Sequence, residues 1–585
     1  MLAGLDWFVI GAYLVFALVV GLATRKQAGQ SRESYFLADR SLPWWWAGTS
    51  IAATTFAADT PLAITGIIAS RGLSGNWLWL SWLLVHAGVV MFFARRWWRS
   101  GVVTDAEFIA LRYDGRAAGW LRTFRAALYG LVYNVIILGW VLRAMGKIVQ
   151  PLFRWEEWAP GLVALVSYVV PAQSALGGPG EAITVILLVL IVAGYSALGG
   201  IRGVIRTDLV QFALGLVGSI WLAVVAWSRA GGTTGVQSAL AAQYGEAASS
   251  LTSLFPSLSQ GWASTLGLGA FGFGAYLLVQ SYANVPADGG GYLQQRLGTT
   301  RNEADAQKAA GLFYLLQYGV RIWPWLMVGF AALALLPAGG EQAVLGQRLG
   351  ALVASDREMA YPALMIHLLP PGVFGLLIVS LLAAFMSTID THFNWGASYV
   401  VSDLALRWRP GLGRRSQLLI ARGAVVLFAI AAVLVTFQIE RIEQAWRWVA
   451  VLGAALGVPT ILRWLWWRVT AEAELAGAVG GLLTAGGLLA GEVGSYEMQL
   501  VMISGVSTAA MLAAIAVGPL PHQAAIERFV RKVDPMGVWP AVGTGRPSRT
   551  ASDVVRGLAR ATAGTLVLSA ATVGLLYLGT RLLLG

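Results

Sequence analysis

Ser50-Ile51-Ala52-Ala53-Thr54-Thr55-Phe56-Ala57-Ala58-Asp59-Thr60-Pro61 sits in the middle of an apolar segment that runs from about residue 45 to 70. A helix needs roughly 20 apolar residues to cross the hydrocarbon core of a bilayer, and this segment is long enough. Its centre, however, is small, polar and acidic, and Pro61 removes a backbone donor. Two readings fit equally. The helix is continuous, kinked by proline and packed through its small residues. Alternatively it is interrupted, and the interruption frees carbonyl oxygens that suit a hard cation such as sodium.

The rest of the chain belongs to the same solvent. Of 585 residues, 57% are hydrophobic and 12% charged, about half the charged share of a soluble domain. That leaves too little polar surface to cover a globule in water, and the mean hydropathy of +0.67 agrees. Apolar segments recur from end to end, so the sequence predicts one membrane domain over 1–585. About fourteen spans are expected, near 5–24, 45–70, 76–95, 120–150, 180–198, 205–229, 263–286, 308–337, 371–400, 416–437, 442–467, 473–491, 497–518 and 562–583. The stretch 158–171, with Pro160 and Pro171, reads as a helix lying outside on the surface. No signal-peptide pattern opens the chain.

The net charge of +12 does not point to nucleic acid, because the cations sit in short loops between apolar segments. Arg25, Lys26, Arg32 and Arg40 follow the first span, Arg95, Arg96 and Arg99 the third, and Arg407, Arg409, Arg414 and Arg415 the ninth. With the basic loop 519–561 they fall on one side when the spans alternate. Cation-rich loops face the cytoplasm, so 519–561 is expected inside and both termini outside, in a multi-pass protein of the cell membrane. Tryptophans near span ends (Trp44, Trp45, Trp46, Trp97, Trp98, Trp464, Trp466, Trp467) read as an interfacial belt. There is no cysteine and only four histidines, without HExxH-type spacing. Nothing suggests a nucleophile–base pair, a resident metal or a phosphate loop, so neither an enzyme nor a cofactor is expected.

Ionisable groups at bilayer depth are functional candidates. Asp208 lies just inside the sixth span, where a helix N-terminus alone could hold it. The ninth span reads Ala383-Ala384-Phe385-Met386-Ser387-Thr388-Ile389-Asp390-Thr391-His392-Phe393-Asn394. Ser387, Thr391 and Asn394 share a helix face, and so do Ser387 and Asp390; the cluster makes an oxygen-lined cation site. Arg143 and Arg321 are intramembrane cations in need of a partner, with Asp59 a candidate for Arg143. His86 and Gln317 read as helix-contact residues.

Three motifs, in order, resemble the sodium:solute symporter family. Tyr195-Ser196-Ala197-Leu198-Gly199-Gly200-Ile201 followed by Thr207-Asp208-Leu209-Val210-Gln211 is similar to its Y-[ST]-x-x-G-G signature and downstream T-D-x-x-Q. Ala383–Thr391 is similar to A-A-x-M-S-[ST]-x-[DS]-[ST], and Gln295-Arg296-Leu297 with Ala306-Gln307-Lys308 to Q-R-x-L…A-x-[KR]. The resemblance, over roughly residues 5–470, implies an all-α LeuT-like fold of two inverted five-helix repeats, here about 44–229 and 262–468. The first helix of each repeat would be broken, near Ala53–Phe56 and near Pro286–Gly291. It implies sodium as coupling ion, held by the carbonyls of Ala53, Phe56 and Ala384 and the hydroxyls of Ser387 and Thr388. A second sodium at Asp208, Asp390 and Thr391 is possible by the same comparison.

The implied activity is sodium-coupled import of a small organic solute by alternating access. A transporter-like receptor or a passive channel is the alternative; about 65 residues after the thirteenth span leave no room for the kinase domain of some relatives. Thr55, Asp59 and Thr60 on the first broken helix and Asp288 on the second are offered to the solute. Arg143 is offered too, on the helix that carries an arginine in sialic acid members. A hexose is not expected: Thr60 stands where the sugar members carry glutamine, and Trp77, Trp79 and Trp82 dominate the third span with no glutamate.

Overall fold

The computed structural model describes residues 2–28, 32–170, 178–257, 269–283, 286–540 and 550–584, and within them the chain is almost wholly helical. Among the described residues, pairing of extended backbone is limited to two isolated bridges, Leu42 with Thr300 and Trp466 with Val538. Helix is what lipid demands, because an unpaired backbone group finds no water there. The elements that matter below are α1 (Gly4–Ala28), the pair α2 (Trp44–Phe56) and α3 (Asp59–Arg71), and α4 (Leu73–Ser100). After these come α5 (Gly115–Val149), α6 (Pro179–Arg229), α7 (Gly269–Ala283) and α8 (Tyr292–Leu297). Next are α9 (Glu303–Leu335), α10 (Val373–Trp408), α11 (Arg414–Thr436) and the pair α12 (Ile442–Ala454) and α13 (Gly457–Leu465). The chain closes with α14 (Ala471–Ala490), α15 (Tyr496–Val517), α16 (Gln523–Val533) and α17 (Ala551–Leu584).

Among the described residues, nine helices are long and apolar enough to cross a membrane, or eleven when each bent pair counts as one span. Each of the fourteen expected segments has a helical counterpart, but fewer of these helices are long and apolar enough to cross. In α1 the apolar stretch is only Gly4–Ala17. In α6, where two spans were expected, helix is continuous and the long apolar part is Ile201–Arg229. The side chains of residues 194–200, and with them most of the Tyr195–Ile201 signature, lie outside the described residues, as do Pro171, 262–268 and 284–285.

The opening stretch of sequence is a true interruption. Helix α2 ends at Phe56, α3 starts at Asp59, and the two are bent by 52°. The break falls at Ala57–Ala58, just beyond the Ala53–Phe56 expected. Ala57 takes φ 41 and ψ 162, a backbone conformation costly for any residue with a Cβ. The second interruption lies where it was expected: residues 286–291 are non-helical between α7 and α8.

A third was not expected. The 442–467 segment bends by 45° between α12 and α13. Gly453 and Gly457 explain its position. A Cβ on Gly453 would overlap the carbonyl of Ala283, and one on Gly457 the ring of Tyr282, so the bend is pressed against the end of α7 by backbone contact.

Two expectations about the periphery are corrected. Trp97 and Trp464 do not form part of an interfacial belt: both are buried, packed with Phe108 and Phe529. Their indole N–H groups donate to Asp288, at its carbonyl (2.6 Å) and its carboxylate (2.7 Å). The 519–561 loop is partly helical. It contains α16, which buries Ile526, Phe529 and Val533, and α17 starts at Ala551 rather than near 562.

Candidate functional site

Two half-helices that end inside the molecule leave carbonyls without partners, and the protein fills most of them. At the C-terminal end of α2, Arg321 of α9 donates to the carbonyls of Ala52 (2.6 Å) and Thr55 (2.7 Å). Its guanidinium lies over the rings of Phe56 and Trp325. A cation is favoured there because the helix dipole is negative at that end. Thr388 Oγ1 donates to the carbonyl of Thr54 at 2.8 Å. Among the described residues, no donor outside the helices' own ladders reaches the carbonyls of Ala53 or Phe56.

Helix α10 lies against this end of α2 and brings Ala384, Ser387 and Thr388 to it. Ser387 Oγ donates to Asp208 Oδ1 at 2.6 Å. Both hydroxyl protons are therefore committed, which leaves lone pairs on Ser387 and Thr388. Carbonyls and hydroxyls of this kind are the ligands a hard monovalent cation takes.

Asp208 and Thr391 also come together, but around an arginine. Arg296 of α8 donates to Thr391 Oγ1 (2.5 Å) and Ser50 Oγ (3.1 Å) and lies 3.9 Å from the Asp208 carboxylate. Ser50 donates to the other oxygen of Asp208, and Thr391 meets Thr54 at 2.9 Å. All of these groups are buried. Asp390, the third residue expected there, is buried as well.

Next to the free carbonyls is a central cavity of about 790 Å³, counted with its open mouth. The α2–α3 break contributes Thr54, Thr55, Asp59 and Thr60 to its lining. Asp59 is the first residue of α3; Trp446 Nε1 donates to its Oδ2 at 3.3 Å, and its Oδ1 is buried without a partner. Helix α4 presents Trp79, Trp82 and His86, at spacings of three and four that share one face. Helix α10 adds Thr388, His392 and Trp395 on the same principle. Tyr133 and Trp140 come from α5 and Tyr292 from the start of α8.

Three expectations fail here. Arg143 does not enter the cavity or pair with Asp59: it donates to the carbonyl of Glu440 at 3.4 Å. One turn past Trp140, the helix has carried it up to the 438–441 loop. Asp288 is not a lining residue either. Its carboxylate takes Arg463 at 2.6 Å and Trp464 at 2.7 Å, fully buried, so it anchors the second break to α13.

His86 and Gln317, read as helix contacts, do line the cavity. Gln317 lies in a π-helical turn, Leu316–Val320, and accepts from Thr55 at 3.1 Å; another such turn, Leu128–Tyr133, precedes Asn134. A π-turn advances the helix by an extra residue and rotates the face presented, which no periodicity in the sequence announces.

Comparison with known proteins follows this geometry. The chain matches the sodium:solute symporter family over residues 35–178 and 163–481. It is 25% identical over 508 residues to sodium/glucose cotransporter 4 of Danio rerio, covering 82% of this chain and 70% of that protein. It is 24% identical over 495 residues to the sodium/glucose cotransporter of Vibrio parahaemolyticus, covering 82% and 84%. A Na⁺-coupled sialic acid symporter, solved in a substrate-bound outward-open state, superposes with a TM-score of 0.68 at 19% identity over 89% of this chain and 99% of that one; the likeness shows a common fold. The family match takes in both broken helices and the polar stretch of α10, and the chain therefore belongs to the sodium:solute symporter family, a group of sodium-coupled carriers and not of enzymes.

Proposed function

We propose that the coupling sodium binds between α2 and α10, on the carbonyls of Ala53, Phe56 and Ala384 and the hydroxyl oxygens of Ser387 and Thr388, and that the solute sits beside it in the central cavity. One observation carries this reading: Ala53 and Phe56 keep their carbonyls free while Arg321 and Thr388 take those around them. An unpaired buried carbonyl costs on the order of 1–3 kcal/mol. Two side by side, next to hydroxyls whose protons are already engaged, are best explained by a ligand that is a cation.

Sodium in that position ties the broken end of α2 to α10. It thereby favours the arrangement in which Thr54 and Thr388 face the solute, and release of sodium lets the two helices part. This linkage is alternating access in physical terms. The double substitution Ser387→Ala with Thr388→Ala is expected to abolish sodium stimulation of uptake in proteoliposomes while the protein still inserts. Sodium stimulation that survives in that variant rules out the assignment.

One sodium per cycle is the stoichiometry this reading supports. A second ion at Asp208 would share that carboxylate with the Arg296 guanidinium, and two cations on one buried carboxylate repel each other. Uptake of radiolabelled sodium and solute should run at a ratio near one; a ratio near two would put an ion at Asp208 after all. The inverted repeats are read as about 44–229 and 262–468, each opening with a broken helix.

A further inference from the structure

The solute itself can be approached through what the cavity offers and what it withholds, taking the central cavity as the solute site proposed above. Among the described residues that line it, no lysine or arginine is present and Asp59 is the one carboxylate. Arg321 donates to the carbonyls of Ala52 and Thr55, and Arg143 is turned toward Glu440. Arg321 keeps its positive charge behind the break, but the lining itself presents no cation to an anionic solute. Most hydroxyls and amides that a polyol would need are already in use: Thr54 with Thr391, Thr55 with Gln317, and Tyr133 with the carbonyl of Val449 at 2.9 Å.

Four polar atoms on the lining residues remain buried without partners: Asp59 Oδ1, His86 Nε2, and the indole N–H groups of Trp82 and Trp395. Around Asp59 stand indole rings. Trp446 touches the carboxylate, Trp82 packs on Trp446 with ring centroids 5.7 Å apart, and Trp79 packs on Trp82 at 6.1 Å. On the opposite side Tyr292 and Trp395 meet at 6.1 Å. A flat neutral ring could stack there, but it would leave the Asp59 carboxylate desolvated and unpaired, which is costly. Trp446 meets the carboxylate through its N–H edge, which leaves Oδ1 to a positively charged nitrogen, and a ring face of the adjoining tryptophans adds to the attraction when the cation lies over it. The two free indole donors then suit an oxygen elsewhere on the solute.

We infer that the transported solute carries a positively charged nitrogen, an ammonium or quaternary ammonium group, held in the indole cage against Asp59. The test uses the full chain in detergent, with sodium and with potassium, followed by thermal shift and by binding titration. The probes are choline, glycine betaine and phenethylamine as charged-nitrogen compounds, 3,3-dimethyl-1-butanol as the neutral shape-match of choline, and glucose and benzoate. At least one charged-nitrogen probe should bind at least tenfold more tightly than the neutral alcohol, glucose and benzoate. Betaine binding as well as choline would show that a zwitterion is accepted, whereas choline or phenethylamine alone would restrict the class to net cations; either supports the inference. Asp59→Asn should weaken that binding tenfold or more and leave the shift caused by sodium alone intact. Equal binding of choline and the neutral alcohol, preference for glucose or benzoate, or no binding of any charged-nitrogen probe overturns the inference. The sodium shift without solute is read separately: its absence would refute the proposed sodium site, whatever the probes do.

Discussion

Asp288 and Arg463 meet at 2.6 Å with neither exposed to solvent, and Arg463 also reaches Glu474 and lies over the ring of Phe108. Glu474 in turn holds Arg125. Removing one partner of a buried pair leaves the other desolvated, at about 3–5 kcal/mol. Arg463→Ala should therefore lower the melting temperature of the purified protein markedly, and more than Arg143→Ala, whose guanidinium makes only long bonds to a loop carbonyl. Equal melting temperatures for the two would show the network to be dispensable. The pair also marks where residue-level reading of the sequence stops. Asp288 in a Gly-rich break looks like a ligand, and Arg143 in an apolar span looks like a counter-charge. Which way each points depends on helix rotation and on the partner across the fold, and one sequence carries neither. Ala53, Ala384, Ser387 and Thr388 were named from the family resemblance and not from helix geometry; the structure brings Thr388 of α10 to the Thr54 carbonyl at the end of α2, and their role as sodium ligands is the proposal made above.

At the scale of elements, composition left the α2–α3 segment open between a kinked and an interrupted helix, and the family resemblance decided for the interruption; at α7–α8 the Pro-Ala-Asp-Gly-Gly-Gly run suits the non-helical turn that the resemblance implied. The α12–α13 bend was missed although Gly457-Val458-Pro459 lies at it, because the signal is weak without the partner that makes it necessary. That partner is the end of α7, close enough to exclude a methyl group. Gly453→Ala should thus fail to fold or show a loss of several kcal/mol, since the overlap is with backbone that cannot rotate aside, while an alanine at Gly505, which has open space around it, should be tolerated. Comparable expression and melting of the two variants would refute the close-contact account. The π-turns in α5 and α9 belong to the same lesson: they place Gln317 on the cavity wall by shifting register, an effect of packing between helices.

For the whole molecule, orientation is a matter of charge. The reading proposed is that both termini lie outside and the 519–561 loop inside. The chain has no cysteine, so single cysteines report without background: one at Ala3 should react with an impermeant maleimide on intact cells, and one at Gln523 only after permeabilisation. The reverse pattern would invert the topology. Sodium entry down a tenfold gradient supplies about 1.4 kcal/mol, and each charge moved inward about 2.3 kcal/mol per 100 mV. A cationic solute would then be driven by voltage twice over, once through its own charge and once through the ion that accompanies it.

The aromatic seam made by Trp97, Phe108, Trp464 and Phe529 is buried, and α16 is fastened across it, with Arg112 sandwiched between the rings of Tyr113, Phe529 and Trp539. Any step that opens the molecule along that seam brings apolar surface into water. Such exposure raises the heat capacity by about 0.45 cal/K/mol for each Å², so the enthalpy of the opening step changes with temperature. Were opening along this seam to limit turnover, the Eyring plot of transport would curve, and the curvature would measure how much of the seam is wetted in each cycle.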